Sequence, residues 1–231
     1  QESLAKTVRE THLASLRRRA SRASRHTPTS LYTTHIPCPR VASCGRPQSD
    51  SPTKSPAKIP NSPKHLAVLN AVAAKAGWGK PRPKGRHLGL AQIMGFGSYV
   101  AACAEVSVSR KGELKIHRIV ASTDPGHAVN PQQIAAQVEG SVAYGLTATF
   151  YGECNIENGR IVETNFDKYT IMRLAEMPKV ETVIVTTNDF WGGVGEPTIC
   201  VVAPAVLNAV FAATGQMPRS LPLKNLGFKF A

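Results

Sequence analysis

The amino-acid sequence changes character at Pro63, and this change limits which part of the chain can fold. Residues 1–63 are rich in Arg and Ser at first, as in LRRRASRASRHTPTS, and rich in Pro and Ser afterwards. Such a composition offers too little apolar surface to offset the conformational entropy lost on folding. We therefore predict a disordered Arg/Ser/Pro-rich segment over residues 1–63 and a folded domain over residues 64–231.

The positive charge of the chain is concentrated in the same N-terminal segment. Residues 1–64 contain 12 Lys and Arg against 3 Asp and Glu, whereas residues 65–231 contain 16 against 12. Arginines separated by serines can neutralise phosphates, so an arm that binds anionic partners stays open as an interpretation. No aromatic residues are interleaved with these arginines to stack on bases, which favours a solvated tail over a nucleic-acid interface.

The apolar runs of the sequence concern its compartment, and the spacing of its cysteines concerns metal binding. No run of about twenty apolar residues is present, and the first residues have no apolar stretch, so neither a membrane span nor a signal peptide is predicted. We expect a soluble chain whose compartment, cytoplasmic or periplasmic, stays unassigned. The cysteines lack Cys-x-x-Cys spacing, and Cys103, Cys154 and Cys200 are predicted to be free residues that pack in the core.

The first part of the folded region predicts a helix followed by a hairpin. Apolar residues recur at helical spacing in PKHLAVLNAVAAKA, and Gly77 ends this pattern. The next stretch, KPRPKGRHLGLA, contains two prolines and is predicted to be a loop. Residues 98–123 contain two strand-like runs separated by the turn RKGE, which predicts a β-hairpin.

A second helix is predicted in the segment VNPQQIAAQVEGSVAYGL. Asn130 can cap it and Pro131 can occupy its first position, since a proline needs no partner for a backbone N–H there. Ile134, Val138 and Val142 follow at a spacing of four residues and are predicted to face the core.

The remaining segments predict another hairpin, another strand and a third helix. Asn158-Gly159 separates two short strand-like runs, which is a strong hairpin signal. The run VETVIVTTND predicts a strand, and a helix is predicted from about residue 198 to residue 213, ended by Gly215. The mixed order of these elements predicts an α+β domain with a mixed sheet, hairpins and about three helices.

One carboxylate stands within the glycine-rich stretch GGVGEPTICVVAPAVLNAVFAATG, residues 192–215. The three glycines before Glu196 permit a tight loop against a bulky neighbour, and Pro197 directs the chain into the helix. Glu196 is therefore predicted at or just before a helix N-terminus. An exposed Glu196 would be a capping anion, whereas a desolvated one beside a reacting group would be a general base. Spacing alone favours the capping role.

The second helix carries two further candidate residues. Gly140 in mid-helix costs about 1 kcal/mol relative to alanine, which indicates a close contact with another element or with a ligand. Gln137 is either a surface amide or a ligand contact, and its spacing does not decide between them. His117 and His127 have no companions at metal-ligand spacing, so no metal site formed by side chains is predicted.

Five segments in order, AEVSV, NPQQIAAQVEGSVAYGL, NFDKYTIMRLAEMP, GGVGEPTICVVAPAVLNAVFAATG and RSLPL, resemble a known family. The resemblance is to the C-terminal part of the large, molybdopterin-binding subunit of the xanthine dehydrogenase and aldehyde oxidase family. Within it, the chain looks most like the isoquinoline 1-oxidoreductase beta-subunit and membrane-associated aldehyde dehydrogenase branch. The resemblance runs from about Lys64 to Leu223. The family's Asp-x-Gly loop has a small residue or cysteine in the middle, where this chain has Pro125.

The resemblance implies a hydroxylase that oxidises an aldehyde or an N-heterocycle with water as the oxygen source. Glu196 falls on the glutamate of the family's GVGEP motif and is implied as the catalytic base. Gln137 falls on a glutamine that hydrogen-bonds the pyranopterin, and Gly140, Gly193 and Gly195 are implied in cofactor binding. The implied cofactor is molybdenum-molybdopterin in its cytosine dinucleotide form, whose dithiolene holds the metal without a protein ligand.

The resemblance also implies partners. Electrons would leave through iron–sulfur clusters on a small partner subunit, because the scattered cysteines of this chain cannot bind a cluster. Family large subunits are several times longer, so the chain is expected to be a fragment that needs an upstream portion for its cofactor cradle and substrate pocket. The alternative is a non-catalytic remnant or an interaction module whose basic tail binds anionic partners.

Overall fold

The structure is a computed structural model that describes residues 63–231. The disorder predicted for residues 1–63 lies outside this range except at Pro63, which begins the first helix. In chain order the elements are α1 (Pro63–Ala76), β1 (His87–Gly95), β2 (Ser98–Val108), β3 (Glu113–Asp124), α2 (Pro131–Phe150), β4 (Ile156–Glu157), β5 (Arg160–Ile161), β6 (Lys179–Ile184), α3 (Ile199–Thr214) and β7 (Lys229–Phe230). Short 3-10 turns cover Leu174–Glu176 and Leu223–Leu226.

A mixed sheet with the order β1-β2-β3-β6 forms the centre of the domain. β1, β2 and β3 are antiparallel neighbours, whereas β6 lies parallel to β3 and pairs with it from Arg118–Lys179 to Thr123–Ile184. The short β7 also lies parallel to β3, at its other end. A parallel pair needs a crossover connection, and α2 lies in the segment that makes it. The predicted α+β class with a mixed sheet, hairpins and three helices is confirmed for the described residues.

Helices cover both faces of this sheet. On one face, α1 buries Val68, Leu69 and Val72 against Leu90 and Val120. On the other face, α2 and α3 pack against the sheet and against each other, with these residues in the core: Ala102, Ile119, Val142, Leu146, Val202 and Val206. Because both faces are buried, the middle of the central strands is apolar at consecutive positions rather than at alternate ones, as in residues 100–104 of β2 and residues 119–121 of β3. Among residues 63–231, no helix is long and apolar enough to cross a membrane.

The predicted helix boundaries are confirmed by their local hydrogen bonds. The side chain of Asn130 accepts hydrogen bonds from the backbone N–H groups of Gln132 at 3.1 Å and Gln133 at 3.2 Å, which caps α2. At the other end of the domain, Gly215 adopts φ 74° and ends α3. The left-handed conformation is open to glycine without a Cβ penalty, so the chain turns away there.

The predicted Asn-Gly hairpin is also confirmed. Asn158 and Gly159 have φ values of 50° and 77° between β4 and β5, as a two-residue type I′ turn requires. The strands it joins are short, and Ile156 and Ile161 are exposed.

Two strand predictions need correction. The segment predicted as a loop, KPRPKGRHLGLA, runs into β1, which begins at His87. The residues of β1 do not alternate between apolar and polar, because β1 is buried on both faces. β1 also contains Gly89, where α3 lies so close that a Cβ would be 2.1 Å from the Ala209 backbone nitrogen. The run predicted as a strand over residues 180–189 ends at Ile184. The N–H of Val185 still donates to the Thr123 carbonyl at 2.9 Å, and beyond Val185 the chain leaves β3.

The cysteine prediction is confirmed in one respect and wrong in another. Cys103, Cys154 and Cys200 are all free. Only Cys103 is buried, and burial raises the pKa of its thiol to about 12. Cys154 and Cys200 are exposed, because Cys154 lies beyond the end of α2 and Cys200 lies in the first turn of α3.

Two glycines of α2 have opposite surroundings. The predicted close contact of Gly140 with another element is wrong within the described residues, because nothing there lies within 4 Å of a Cβ built on it. Gly145, one and a half turns later, faces α3, and its Cβ would lie 2.7 Å from the Cβ of Val202. Gly145 therefore allows α2 and α3 to approach each other, and Gly140 does not serve that purpose.

This contrast gives a matched pair of substitutions. Gly145→Ala should lower the free energy of unfolding by about 1–3 kcal/mol, because the new methyl group collides with Val202. Gly140→Ala makes the same change in the same helix and should raise it by up to about 1 kcal/mol, because a methyl group there meets open space. Urea unfolding of both variants measures the difference. Equal effects would show that α2 and α3 do not pack at Gly145.

Candidate functional site

The candidate site lies where two parallel strands end. β3 and β6 run in the same direction, so the loops that follow them leave the same edge of the sheet. Residues 125–130 follow β3 and lead into α2, and residues 185–198 follow β6 and lead into α3. We refer to residues 185–198 as the glycine loop. This topology brings the helix that carries Gln137 close to the loop that carries Glu196.

The glycine loop is held against the loop that follows β3. The backbone N–H of Asn188 donates to the Gly126 carbonyl at 2.8 Å, and that of Gly192 donates to the Pro125 carbonyl at 2.9 Å. Gly126 has φ 80°, and a Cβ on it would lie 2.4 Å from the Phe190 carbonyl oxygen. Only glycine fits this position. Pro125, the residue that departs from the family's loop, takes part through its carbonyl.

On its other side, the glycine loop contacts the turn between β1 and β2. The N–H of Gly193 donates to the Phe96 carbonyl at 2.8 Å, and the hydroxyl of Ser98 donates to the Gly193 carbonyl at 2.6 Å. A Cβ on Gly192 would lie 2.3 Å from the Ser98 oxygen, so the two backbones approach as closely as a glycine permits. The bulky neighbour of Gly192 is therefore protein.

Helix α2 fixes the next part of the same loop. The buried Ser141 hydroxyl donates to the Gly195 carbonyl. Gln137 lies one turn earlier on the same side of α2, and its Oε1 is 3.6 Å from where a Cβ of Gly195 would be. The structure thus brings together Gln137 and Gly195, two of the residues predicted to bind a cofactor.

Glu196 lies just before α3, as predicted. Its carbonyl accepts a hydrogen bond from the N–H of Ile199 at 3.0 Å, while the following Pro197 and Thr198 are buried. The residue itself is exposed, and no salt bridge among the described residues includes its carboxylate. In this part of the chain Glu196 therefore has the exposed position expected of a capping anion. The role of general base stays a prediction.

The donors around the loop fit a group rich in oxygen and nitrogen acceptors. Within residues 63–231, the backbone N–H groups of Val194, Gly195 and Glu196 have no hydrogen-bond partner, and the exposed amide of Gln137 adds another donor. Open space lies over Gly140 on the same side of α2. A pterin ring and a phosphate both accept hydrogen bonds from such amides, so these residues fit a molybdopterin cofactor.

Sequence reasoning missed the polar residues that hold the loop in place. Asp124, the last residue of β3, is 1% exposed and accepts hydrogen bonds from both loops. Lys64 of α1 forms an ion pair with Asp189, which lowers the pKa of the Asp189 carboxyl and raises that of the Lys64 ammonium. The sequence feature that could have indicated Asp124 is the Asp-x-Gly sequence at the end of a predicted strand.

Exposed aromatic residues adjoin the glycine loop. Phe190 is 91% exposed and Trp191 is 66% exposed, although both precede a buried helix. The Trp191 ring is stacked on the His127 ring, with 6.0 Å between the ring centroids. Phe96 at the β1–β2 turn is also exposed. The signal for this patch was the sequence NDFW directly before the glycines.

Comparison with known proteins defines the class of this domain. Residues 73–178 match the model of the molybdopterin cofactor-binding domain. This match includes Gln137 and Gly140 and ends before Glu196. The chain therefore contains a molybdopterin cofactor-binding domain over that range.

Curated relatives extend the similarity to most of the chain. The membrane-bound aldehyde dehydrogenase [pyrroloquinoline-quinone] of Gluconacetobacter polyoxogenes is 30% identical over 177 residues, which are 74% of this chain and 23% of that protein. The isoquinoline 1-oxidoreductase subunit beta of Brevundimonas diminuta is 30% identical over 172 residues, which are 73% of this chain and 22% of that protein. The chain thus spans less than a quarter of the length of these relatives.

A solved structure confirms the fold. Quinoline 2-oxidoreductase from Pseudomonas putida 86 superposes with a TM-score of 0.51 at 20% identity, covering 55% of this chain and 17% of that one. This likeness bears on the fold alone, and the domain match and the two relatives support the resemblance. Residues 73–178 therefore belong to the molybdopterin cofactor-binding domain family, and the partial chain is similar to molybdopterin-binding subunits of the xanthine dehydrogenase and aldehyde oxidase family.

Loss of the Ser141 hydroxyl should loosen the glycine loop. Ser141→Ala leaves the Gly195 carbonyl without its donor, and should lower the free energy of unfolding by about 0.5–1.5 kcal/mol and speed amide exchange at Gly192 and Gly193, whose N–H groups are hydrogen-bonded. Thr149→Val is the matched control, because that buried hydroxyl bonds only to Gly145 of its own helix. Hydrogen exchange measured by mass spectrometry separates the two. Faster loop exchange in both variants, or in neither, would contradict the role of Ser141.

Proposed function

We propose that this chain supplies part of the molybdopterin site of an enzyme that oxidises an aldehyde or an N-heterocycle. The observation that carries the proposal is the meeting of Gln137 and the glycine loop at the edge formed by β3 and β6, in a chain whose residues 73–178 match a molybdopterin cofactor-binding domain. The names of the two relatives, an aldehyde dehydrogenase and an isoquinoline oxidoreductase, support this substrate class.

The proposed cofactor is molybdenum-molybdopterin in its cytosine dinucleotide form. One relative carries pyrroloquinoline quinone in its name, whereas the matching domain is described as binding molybdopterin. We favour molybdopterin because the domain match includes Gln137, whose amide lies next to the glycine loop. When bound, this cofactor supplies the redox centre that activates water as the oxygen donor and accepts electrons from the substrate.

The residues of this chain have distinct proposed tasks. The amide of Gln137 and the N–H groups of Val194 and Gly195, which have no partner among the described residues, hold the cofactor, and Gly140 leaves space for it. Gly193 leaves space for Phe96 instead, because a Cβ there would lie 3.2 Å from the Phe96 Cβ. Glu196 acts as the general base that takes a proton from the oxygen donor. A general base works best where water is excluded, because a low dielectric strengthens its interaction with the reacting group.

Exclusion of water is the task proposed for the rest of the subunit. The chain spans 23% of the aldehyde dehydrogenase relative, and Glu196 is exposed in this part. We propose that an upstream portion covers the site, completes the substrate pocket and turns Glu196 from an exposed anion into a desolvated base. The electron acceptor is proposed to be an iron–sulfur partner subunit, since several relatives are named as subunits.

The proposal predicts separate effects for the two central residues. In a complex assembled with the upstream portion and the iron–sulfur subunit, Glu196→Gln should keep molybdenum and lower the rate of aldehyde or isoquinoline oxidation by about 10²–10⁴-fold, as expected for loss of a general base. Gln137→Ala should lower the molybdenum and pterin content instead. Elemental analysis and turnover measure these two quantities.

Glu157→Gln is the matched control, because it makes the same change in the distant β4–β5 hairpin and should leave both quantities unchanged. Undiminished oxidation in Glu196→Gln would remove the base assignment. Absence of molybdenum and pterin from the assembled wild-type complex would remove the enzyme proposal and favour the alternative of a non-catalytic module.

A further inference from the structure

A single buried carboxylate oxygen joins the two loops of the candidate site. Asp124 is the last residue of β3 and is 1% exposed. Its Oδ1 accepts a hydrogen bond from the Gly126 N–H at 2.9 Å and another from the Thr187 hydroxyl at 3.2 Å. Gly126 belongs to the loop that leads into α2, and Thr187 belongs to the glycine loop. No other side chain among the described residues hydrogen-bonds to both loops.

We propose that Asp124 is a positioning residue, which sets the distance between the helix carrying Gln137 and the loop carrying Glu196. Its effect on the reaction rests on the proposed function, but its effect on the loops does not. Asp124 is too deeply buried to touch a cofactor or a substrate itself. It acts through Gly126 and Thr187.

The hydrogen bond to Gly126 controls a series of further contacts. It holds Gly126 at φ 80°, and in that conformation the Gly126 carbonyl accepts the N–H of Asn188. The same conformation allows the Phe190 carbonyl to lie where a Cβ would otherwise be. The loop backbone therefore keeps its place only while Gly126 keeps its turn. The contact with Thr187 fixes the start of the glycine loop to the same oxygen.

The second oxygen of Asp124 indicates that the residue is not there for stability alone. Oδ2 is buried and has no hydrogen-bond partner among the described residues. A buried carboxylate with one unsatisfied oxygen opposes folding, and an apolar side chain would fill the space with less penalty. No salt bridge among the described residues includes Asp124. Lys64 pairs with Asp189 instead and lies 5.5 Å from the ring centroid of Tyr99, the residue opposite Asp124 in β2.

The test uses the full chain with Trp78→Phe, which leaves Trp191 in the glycine loop as the only tryptophan. Asp124→Ala removes both hydrogen bonds, Thr187→Val removes one, and Asp124→Asn keeps an acceptor at Oδ1. Amide exchange over residues 185–193 and acrylamide quenching of Trp191 fluorescence report on the loop. Exchange in β1 and β2 reports on the fold.

We expect exchange over residues 185–193 to be about tenfold faster in Asp124→Ala and several-fold faster in Thr187→Val, with near-normal rates in Asp124→Asn. Quenching of Trp191 should follow the same order, while β1 and β2 keep their protection. Thr182→Val is the matched control, because its hydroxyl is buried in β6 without a partner and its removal should leave the loop unchanged.

Unchanged loop exchange in both Asp124→Ala and Thr187→Val would overturn the proposal. If Asp124→Ala does not fold, the comparison of loop exchange in Thr187→Val with loop exchange in Thr182→Val decides. Equal loop exchange in these two variants would also overturn the proposal. In an assembled enzyme, Asp124→Ala should lower kcat per bound molybdenum with little change in KM. An assembly without molybdenum would remove the proposed function and leave the loop measurements to decide on Asp124.

Discussion

The parallel pairing of β3 with β6 is the constraint on which the rest of the candidate site depends. Because both strands run in the same direction, the chain must cross over between them, and α2 lies in that crossover. The same pairing sends the loops after both strands to one edge of the sheet, where each leads into a helix. An antiparallel pair would place Gln137 and Glu196 at opposite edges. Their meeting thus follows from strand direction before any side chain is considered.

Close packing on the two faces of the sheet keeps this edge in place. α3 lies directly on β1 at Gly89, and α2 meets α3 at Gly145, so neither helix can shift without steric conflict. The glycine loop is then held from three sides: by Pro125, by the β1–β2 turn at Phe96 and by Ser141 of α2. Most of these contacts are made by backbone atoms. The loop therefore depends on glycines more than on particular side chains, which agrees with their density in its sequence.

The sequence predicted what depends on neighbours along the chain. The Asn130 cap, the Asn158-Gly159 turn and the Gly215 helix end are each decided within a few residues, and all three are confirmed. β1 was missed because its burial on both faces and its contact with α3 come from distant segments. The same limit explains why Gly140 was singled out while Gly145 carries the helix contact. Both are mid-helix glycines, and only the arrangement of α3 distinguishes them. Asp124 was overlooked for a related reason, since its partner Thr187 is distant in the sequence.

A general base needs both a fixed position and a desolvated carboxylate. For Glu196, the proposed base, this part of the chain provides the position but not the desolvation. The backbone contacts of the glycine loop place Glu196 just before α3, next to N–H groups that have no partner among residues 63–231, without using its carboxylate. Desolvation cannot come from the same contacts, because the loop already lies at the edge of the sheet with both neighbouring faces occupied by helices. In the proposed enzyme it would come from protein that approaches the exposed side, where Phe190 and Trp191 also lie. A subunit built in this way would assemble its base only when its portions close over the cofactor. If closure follows cofactor binding in this way, the Glu196 carboxylate would become desolvated only after the proposed cofactor is in place.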